Sequence, residues 1–214
     1  MIRRPPRSTL ERSSAAADVY KRQDRQVSGY QFVESADWIP ALGISYKLGV
    51  DGISILMVLL TGILGPLVVG AGWLTIHRRE REFFAALIVL QTAMLGVFIA
   101  LDFILFYVFW ELVLIPMYLL IGIWGHERRI YATIKFFLYT FAGSVLMLVA
   151  ILALRLYTGT FDIEAIPAEM AEASRVLQRW VFVAFFFAFA IKVPMFPFHT
   201  RRADALVEAP LPEA

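Results

Sequence analysis

The feature that most constrains this chain is a series of long apolar blocks separated by short charged segments. Five blocks have about 20 residues, the length that an α-helix needs to cross a bilayer core of about 30 Å. Hydrophobic residues make up 59% of the 214 positions, and charged residues make up 18%. This pattern predicts an all-α membrane fold, a polytopic bundle of transmembrane helices. The predicted spans are Gly52–Ile76, Phe83–Leu101, Phe103–Trp124, Phe136–Leu154 and Trp180–Phe198.

The charged loops predict the orientation of these spans. Lys and Arg side chains concentrate in residues 77–82 and 125–135. Both loops are short, so the positive-inside rule places them on the cytoplasmic side of the membrane. Residues 24–51 and the loop 155–179 are then expected on the outer side, the first of them as an external segment.

Two connections on the outer side have local signals of their own. The second and third spans are separated only by Leu101-Asp102-Phe103, and together they are too long for one crossing. We therefore predict a tight turn at Asp102. Pro167–Arg179 is predicted to be a short amphipathic helix, because proline is favoured in the first turn of a helix.

The two ends of the sequence are treated separately from the fold. Residues 1–23 carry six basic and two acidic side chains, so the remaining residues have 14 basic and 16 acidic ones. The basic excess lies entirely in this head, which argues against a nucleic-acid partner. The head resembles translated sequencing-adapter read-through and is interpreted as such, with a disordered basic arm as the alternative. Residues 201–214 are interpreted as an aberrant, truncated end.

The composition also limits the cofactors that the chain could hold. The sequence contains no cysteine, which excludes disulfides, thiolate metal sites and iron–sulfur ligation from this stretch.

Two ionisable residues lie inside predicted spans that are otherwise apolar. Glu111 is the one ionisable residue near the middle of the third span, and Lys192 is the one in the fifth. A charge at the bilayer centre costs about 2.5–3.5 kcal/mol on insertion scales, so such residues usually pair, face a wet cavity or carry ions. Each has a simpler interpretation as well. Glu111 could hydrogen-bond a neighbouring helix, and Lys192 could extend its ammonium toward the interface.

Prolines close to both residues favour the functional interpretation. Pro116 follows Glu111, and Pro194 and Pro197 follow Lys192. Each proline lacks an N–H and frees the carbonyl four residues earlier, here those of Leu112, Ala190 and Val193. Such breaks in membrane helices are tolerated where they line a polar cavity. Free carbonyls beside Lys192 are expected to offer hydrogen bonds to its ammonium or to water.

An acid and a base in this setting can work as a proton switch. Burial disfavours the charged form of each group, whereas their mutual attraction favours it. If the two side chains separate, Lys192 can release its proton, and if they approach each other, the proton is held. A conformational change that alters their separation would therefore move protons.

The strings around these residues resemble subunit M of NADH:quinone oxidoreductase (respiratory complex I), one of its antiporter-like proton-translocating subunits. The resemblance covers about residues 30–200. It is carried by FWELVLIPMYLLIGIWG at 109–125, KFFLYTFAGSVLMLVAILAL at 135–154 and FAIKVPMFPFHT at 189–200, together with the segment from Asp51 to Thr61.

The resemblance implies a larger bundle built on two inverted repeats, of which this chain is a fragment. Glu111 falls on the family's essential intramembrane glutamate, and Lys192 falls on the lysine of its discontinuous seventh helix. His199 matches a histidine that connects this lysine to later members of the proton path. The three residues are the candidate proton relay. Residues 201–210 depart from the family pattern, and the later relay groups are missing, so the 214-residue chain alone is expected to be inactive.

The resemblance also implies partners and a location. The subunit is expected in a bacterial inner membrane, less so in a mitochondrial one, against the bilayer and other membrane subunits of complex I, especially neighbouring antiporter-like ones. It further implies that the chain itself holds no metal site and no cofactor. NADH, FMN, iron–sulfur clusters and quinone belong to the parent complex. Redox chemistry in other subunits would drive the protons. The alternatives are a subunit of a multi-subunit cation/proton antiporter and a non-functional membrane fragment.

Overall fold

A computed structural model describes residues 29–193 and 195 of the chain. The described part opens with a β-hairpin and continues as helices. Strand β1 and strand β2 are joined by a short 3-10 turn, and seven α-helices follow. The bounds are β1 Gln31–Ile39, β2 Ile44–Val50, α1 Ser54–Thr75, α2 Glu80–Ile99, α3 Phe103–Leu112, α4 Leu114–Trp124, α5 Arg129–Thr158, α6 Ile166–Met170 and α7 Arg175–Lys192.

Four stretches of helix are long and apolar enough to cross a membrane, counted over the described residues. They are Ser54–Thr75, Glu80–Ile99, Phe103–Trp124 and Arg129–Thr158, which correspond to the first four predicted spans. The fifth predicted span, Trp180–Phe198, reaches beyond the described residues, and its residues 180–192 belong to α7. The prediction of a polytopic helical membrane fold is confirmed.

The third span is interrupted at Val113, between α3 and α4. Pro116 lies one turn later and has no N–H to donate to the carbonyl of Leu112, so the regular hydrogen-bond ladder fails here. Val113 keeps right-handed helical angles, with φ −59° and ψ −32°. The two helices therefore continue as one crossing, with the break two residues after Glu111.

The hairpin was not predicted from the sequence, which indicated only an external segment over 24–51. Its strands pair antiparallel, with Ser35 opposite Lys47. Gly43 supplies the left-handed backbone at the turn, with φ +68°, a conformation that glycine adopts without steric cost. Most of β1 is exposed, whereas β2 is attached to the helices, because the amide of Leu101 donates to the carbonyl of Lys47 over 2.9 Å.

The turn between α2 and α3 is closed by Asp102, as predicted. This carboxylate is 1% exposed. Its Oδ1 caps α3 by accepting hydrogen bonds from the amides of Ile104 and Leu105, at 2.8 and 3.2 Å. Its Oδ2 accepts from the amide and the hydroxyl of Ser45 in β2, at 3.0 and 3.1 Å. One side chain therefore fixes the helix start and the hairpin together.

The loop 155–179 contradicts the prediction of an amphipathic helix from Pro167 to Arg179. Helix α6 ends at Met170, and α7 begins at Arg175. The break has a local cause. Ser174 caps α7 by accepting a hydrogen bond from the amide of Leu177 at 3.3 Å, and Gln178 donates to the carbonyl of Met170 at 2.9 Å.

The core that positions the last helix lies between α3, α5 and α7. Trp110, Met147, Ile151 and Ala188 belong to one buried cluster, and Met147 and Ile151 have no exposed surface. Gly143 of α5 lets α7 approach closely, since an added Cβ would lie 3.2 Å from the Cδ1 atom of Ile191. Helix α7 thus packs mainly on α5, and its last turn also contacts Trp110 of α3.

Candidate functional site

The structure brings the ends of two helices together at the candidate site. Glu111 lies in the last turn of α3, one residue before that helix ends. Lys192 is the last residue of α7. Both side chains are half-buried. The two predicted relay residues, which are 81 positions apart in the sequence, therefore lie on neighbouring helix ends.

The contact between these helix ends runs through Trp110. The Nζ atom of Lys192 donates a hydrogen bond to the Trp110 carbonyl at 3.3 Å. The same Nζ atom lies over the indole ring, 4.1 Å from its centroid. A cation within about 6 Å of the face of a tryptophan is attracted by the ring quadrupole. One residue thus binds the ammonium through both its backbone and its side chain.

The indole of Trp110 is held by aromatic neighbours. It is 9% exposed. Phe106, one turn earlier in α3, lies with its ring centroid 5.5 Å away. Phe189 of α7 meets the indole edge-on at 5.4 Å. These arrangements are favourable for aromatic pairs and fix the orientation of the ring.

Glu111 lies in a different polar neighbourhood on the same helix. Tyr107 is four residues earlier, so the two side chains share one face of α3. Tyr107 interacts electrostatically with Glu111, and its hydroxyl lies near Ser144 of α5. Ser144 is 1% exposed and donates to the carbonyl of Phe141 at 2.9 Å. Tyr107 therefore lies between the acid on α3 and the buried hydroxyl of Ser144 on α5.

The predicted acid–base pair is not an ion pair in this structure. Ion pairs within residues 29–193 and 195 include those of Lys47 with Asp162 and Glu164 and that of Arg79 with Glu82, but no ion pair among these residues joins Glu111 to Lys192. The ammonium instead contacts the residue directly before the acid. The arrangement keeps the base beside the acid without direct contact between the charges.

The expected role of the freed carbonyls is only partly met. The carbonyl of Ala190, which Pro194 cannot engage, accepts a hydrogen bond from the amide of Met195 at 2.9 Å. The ammonium of Lys192 donates a hydrogen bond across the helix interface, to the carbonyl of Trp110. The third relay candidate, His199, lies outside the described residues, as do Pro194 and Pro197.

Sequence reasoning missed Trp110, Tyr107 and Ser144. A signal for them was present in the sequence, however. Trp110 lies in the middle of a span, where an interfacial anchoring role does not apply. Tyr107 is one helical turn from Glu111, and Ser144 interrupts an apolar stretch of α5.

The described residues offer no candidate metal centre. Over residues 29–193 and 195, there is no group of three or more His, Cys, Asp or Glu side chains that could hold an ion. The chemistry available at Glu111 and Lys192 is the gain and loss of protons.

The sequence is similar to proteins of one known family. Residues 100–214 match the profile of a family described as NADH:quinone oxidoreductase/Mrp antiporter, transmembrane. A relative named NADH-quinone oxidoreductase subunit M, from Rhodobacter capsulatus, is 50% identical over 193 residues. That alignment covers 85% of this chain and 37% of the relative. The chain thus spans well under half of the length of this relative.

Two solved structures have the same fold. A chain of respiratory complex I from Thermus thermophilus superposes with a TM-score of 0.80 and 31% identity, covering 94% of this chain and 43% of that chain. A chain of the Mrp complex from Dietzia sp. superposes with a TM-score of 0.83. There the identity is 22%, and the match covers 94% of this chain and 22% of the other. The second likeness is one of fold alone.

Proposed function

Because the chain belongs to the NADH:quinone oxidoreductase/Mrp antiporter transmembrane family, we propose that it is part of a proton-translocating subunit of an NADH:quinone oxidoreductase. It is a multi-pass inner-membrane protein. Its partners are the other membrane subunits of that complex, especially neighbouring antiporter-like subunits, and the bilayer. NADH, FMN, iron–sulfur clusters and quinone are bound by other subunits, which supply the redox energy.

One observation carries the proposal: the ammonium of Lys192 is held against α3, on the residue adjacent to Glu111. An acid and a base at neighbouring helix ends can pass a proton between them if a small movement changes their separation. Burial alone would leave both groups neutral, and close approach would favour the charged pair. The separation therefore determines which group holds the proton.

The relay can be written as a balanced sequence. Lys192, as an ammonium, gives one proton onward in the direction of His199 and becomes a neutral amine. Glu111, having taken up a proton from its own side, passes it to Lys192 and returns to the carboxylate form. Each cycle moves one proton and restores both groups. The remaining relay groups belong to the larger part of the subunit, so the 214-residue chain alone is inactive.

The identity of the relatives favours this reading over a cation/proton antiporter subunit. The alignment with subunit M from Rhodobacter capsulatus has 50% identity, whereas the likeness to the Mrp complex has 22%. Neighbouring genes provide an independent check. Genes for other complex I subunits are expected beside this one, and a small antiporter operon would favour the alternative.

The test is Glu111→Gln in a full-length subunit that carries this sequence, assembled in its complex in membrane vesicles. The amide keeps the size of the side chain but cannot exchange a proton, so NADH-driven proton pumping per assembled complex should fall at least about tenfold, as general acid–base groups typically contribute 10²–10⁴-fold. The matched control is Glu127→Gln, an exposed acid in the loop between α4 and α5, which should pump normally. Wild-type pumping by an assembled Glu111→Gln complex would contradict the role of Glu111 in proton transfer.

A further inference from the structure

Trp110 stands apart from the other tryptophans whose surroundings the structure describes. Trp38 and Trp180 are 45% and 70% exposed, whereas Trp110 is 9% exposed. A tryptophan at a span end is an ordinary interfacial anchor. Trp110 lies in the middle of the third span and has a cation over its face, so anchoring does not account for it.

We propose that Trp110 is a positioning residue that binds the ammonium of Lys192 during the part of the cycle in which Lys192 and Glu111 are apart. This inference rests on the proposed relay. The Nζ atom of Lys192 lies 3.3 Å from the carbonyl oxygen of Trp110 and 4.1 Å from the centroid of its ring. The carbonyl dipole and the face of the indole together form a binding position for the ammonium. Both partners are neutral, so neither one accepts the proton.

The indole of Trp110 is held in place, whereas the side chain of Lys192 can move. The indole is fixed by Phe106 and Phe189, with ring centroids 5.5 and 5.4 Å away. The lysine side chain has four methylene groups and rotates freely about them. The moving part is therefore the ammonium, and Trp110 is a fixed position that it leaves and regains.

The ammonium needs only a short movement to pass from Trp110 to Glu111. Trp110 and Glu111 are consecutive residues, so their Cα atoms are about 3.8 Å apart and their side chains diverge around the helix. An ammonium on Trp110 can reach Glu111 by a change in side-chain rotamers, without sliding of the whole helix. Trp110 thus provides the separated state that a proton switch requires, close to the paired state.

A neutral binding position also sets the energy of the separated state. An ammonium in an apolar region tends to lose its proton, because burial disfavours the charge. The ring face and the carbonyl compensate part of that cost. Because that compensation is only partial, the ammonium can still release its proton there. Without the ring, the separated state would be higher in energy, so the ammonium would stay longer beside Glu111, where the proton is held, and pumping would slow.

The test replaces Trp110 with fluorinated tryptophans in the full-length subunit in its complex. Successive fluorines withdraw electron density from the ring face while the shape of the indole is nearly unchanged, so packing on Phe106 and Phe189 is retained. NADH-driven proton pumping per assembled complex should fall stepwise with fluorination, by about 3- to 30-fold for the tetrafluorinated ring, the range expected for loss of a buried cation–π contact. The same substitution at the exposed Trp180 is the matched control and should leave pumping unchanged.

Three further variants separate this inference from the relay itself. Trp110→Phe keeps a weaker ring face and should retain more activity than Trp110→Leu, which has none. If pumping is insensitive to fluorination while Lys192→Met abolishes it, Trp110 is only a packing residue and the relay stands. If Lys192→Met pumps like the wild type, the relay fails, and this inference fails with it.

Discussion

Two lysines of this chain lie near acidic residues, and they are bound in opposite ways. Lys47 of β2 forms ion pairs with Asp162 at 2.8 Å and with Glu164 at 2.5 Å. Lys192 of α7 contacts a carbonyl and an indole ring, and its contacts with α3 are made beside Glu111. The first lysine has charged partners, whereas the second has neutral partners on α3.

The difference separates charges that hold the fold from charges that could carry protons. Lys47 connects β2 to a loop more than 100 residues later, and its side chain is 16% exposed. Two carboxylates keep it protonated and fix it in place. A proton relay needs the reverse, since its base must lose and regain a proton. Neutral partners on α3 and a nearby acid provide that condition at Lys192.

The largest effect on stability is expected from substitution of Asp102, the buried acid that caps α3 and binds Ser45 of β2. Asp102→Ala removes the cap of α3 and leaves the Ser45 amide without its acceptor. Loss of a cap costs about 0.5–2 kcal/mol, and an unsatisfied buried donor about 1–3 kcal/mol. We expect a loss of about 1.5–5 kcal/mol in stability, and hence little assembled subunit, measured as subunit retained in purified membranes.

The control for this substitution is Asp37→Ala, which changes an exposed acid on β1. It should leave the amount of assembled subunit unchanged. If Asp102→Ala assembles as well as this control but pumps poorly, then Asp102 belongs to the proton path. The division between charges that hold the fold and charges that carry protons would then be wrong.

A smaller effect is expected for Lys47→Met. The partners of Lys47 are 31% and 40% exposed, and pairs with exposed members contribute up to about 1 kcal/mol. The hairpin should open locally more often, so its backbone amides should exchange with deuterium about fivefold faster. Hydrogen-exchange mass spectrometry of β1 and β2 measures this, and unchanged exchange would mean that the ion pairs do not tether the hairpin.

The same tether predicts the smallest effect, a dependence on alkaline pH. Burial disfavours the charge on Lys47, but its hydrogen bonds to Asp162 and Glu164 outweigh that cost and raise its pKa above the ordinary 10.5. A raised pKa in the folded state means that the stabilisation is complete below pH 10.5 and is lost as the pH rises through the folded value. The ratio of the amide exchange rates of Lys47→Met and the wild type should therefore be constant from pH 7 to 9.

Much of the helical fold could be predicted because its signals are local. The apolar blocks, the turn at Asp102 and the proline after Glu111 are each defined by a few neighbouring residues. The hairpin escaped because strand pairing depends on residues that are distant in sequence, and β1 has no buried face to give an alternating pattern. The predicted amphipathic helix failed because Ser174 and Gln178 stabilise a new helix start.

The site divides in the same way. Glu111 and Lys192 could be singled out because a charge in an apolar span is conspicuous by itself. Their relation could not be derived, since the contact between Lys192 and Trp110 joins residues 82 positions apart. The pairing partner expected from charge alone was Glu111, whereas the contact found on α3 is with Trp110, a neutral aromatic residue.

The most direct test of the division between the two lysines substitutes each by methionine in the full-length subunit, in otherwise identical complexes. NADH-driven proton pumping is measured per assembled complex in sealed vesicles. Lys192→Met should reduce pumping at least about tenfold, because the amine that exchanges the proton is gone, and Lys47→Met should pump at the wild-type rate. Equal pumping by both variants, or a greater loss in Lys47→Met, would contradict the assignment of proton transfer to the site in the membrane.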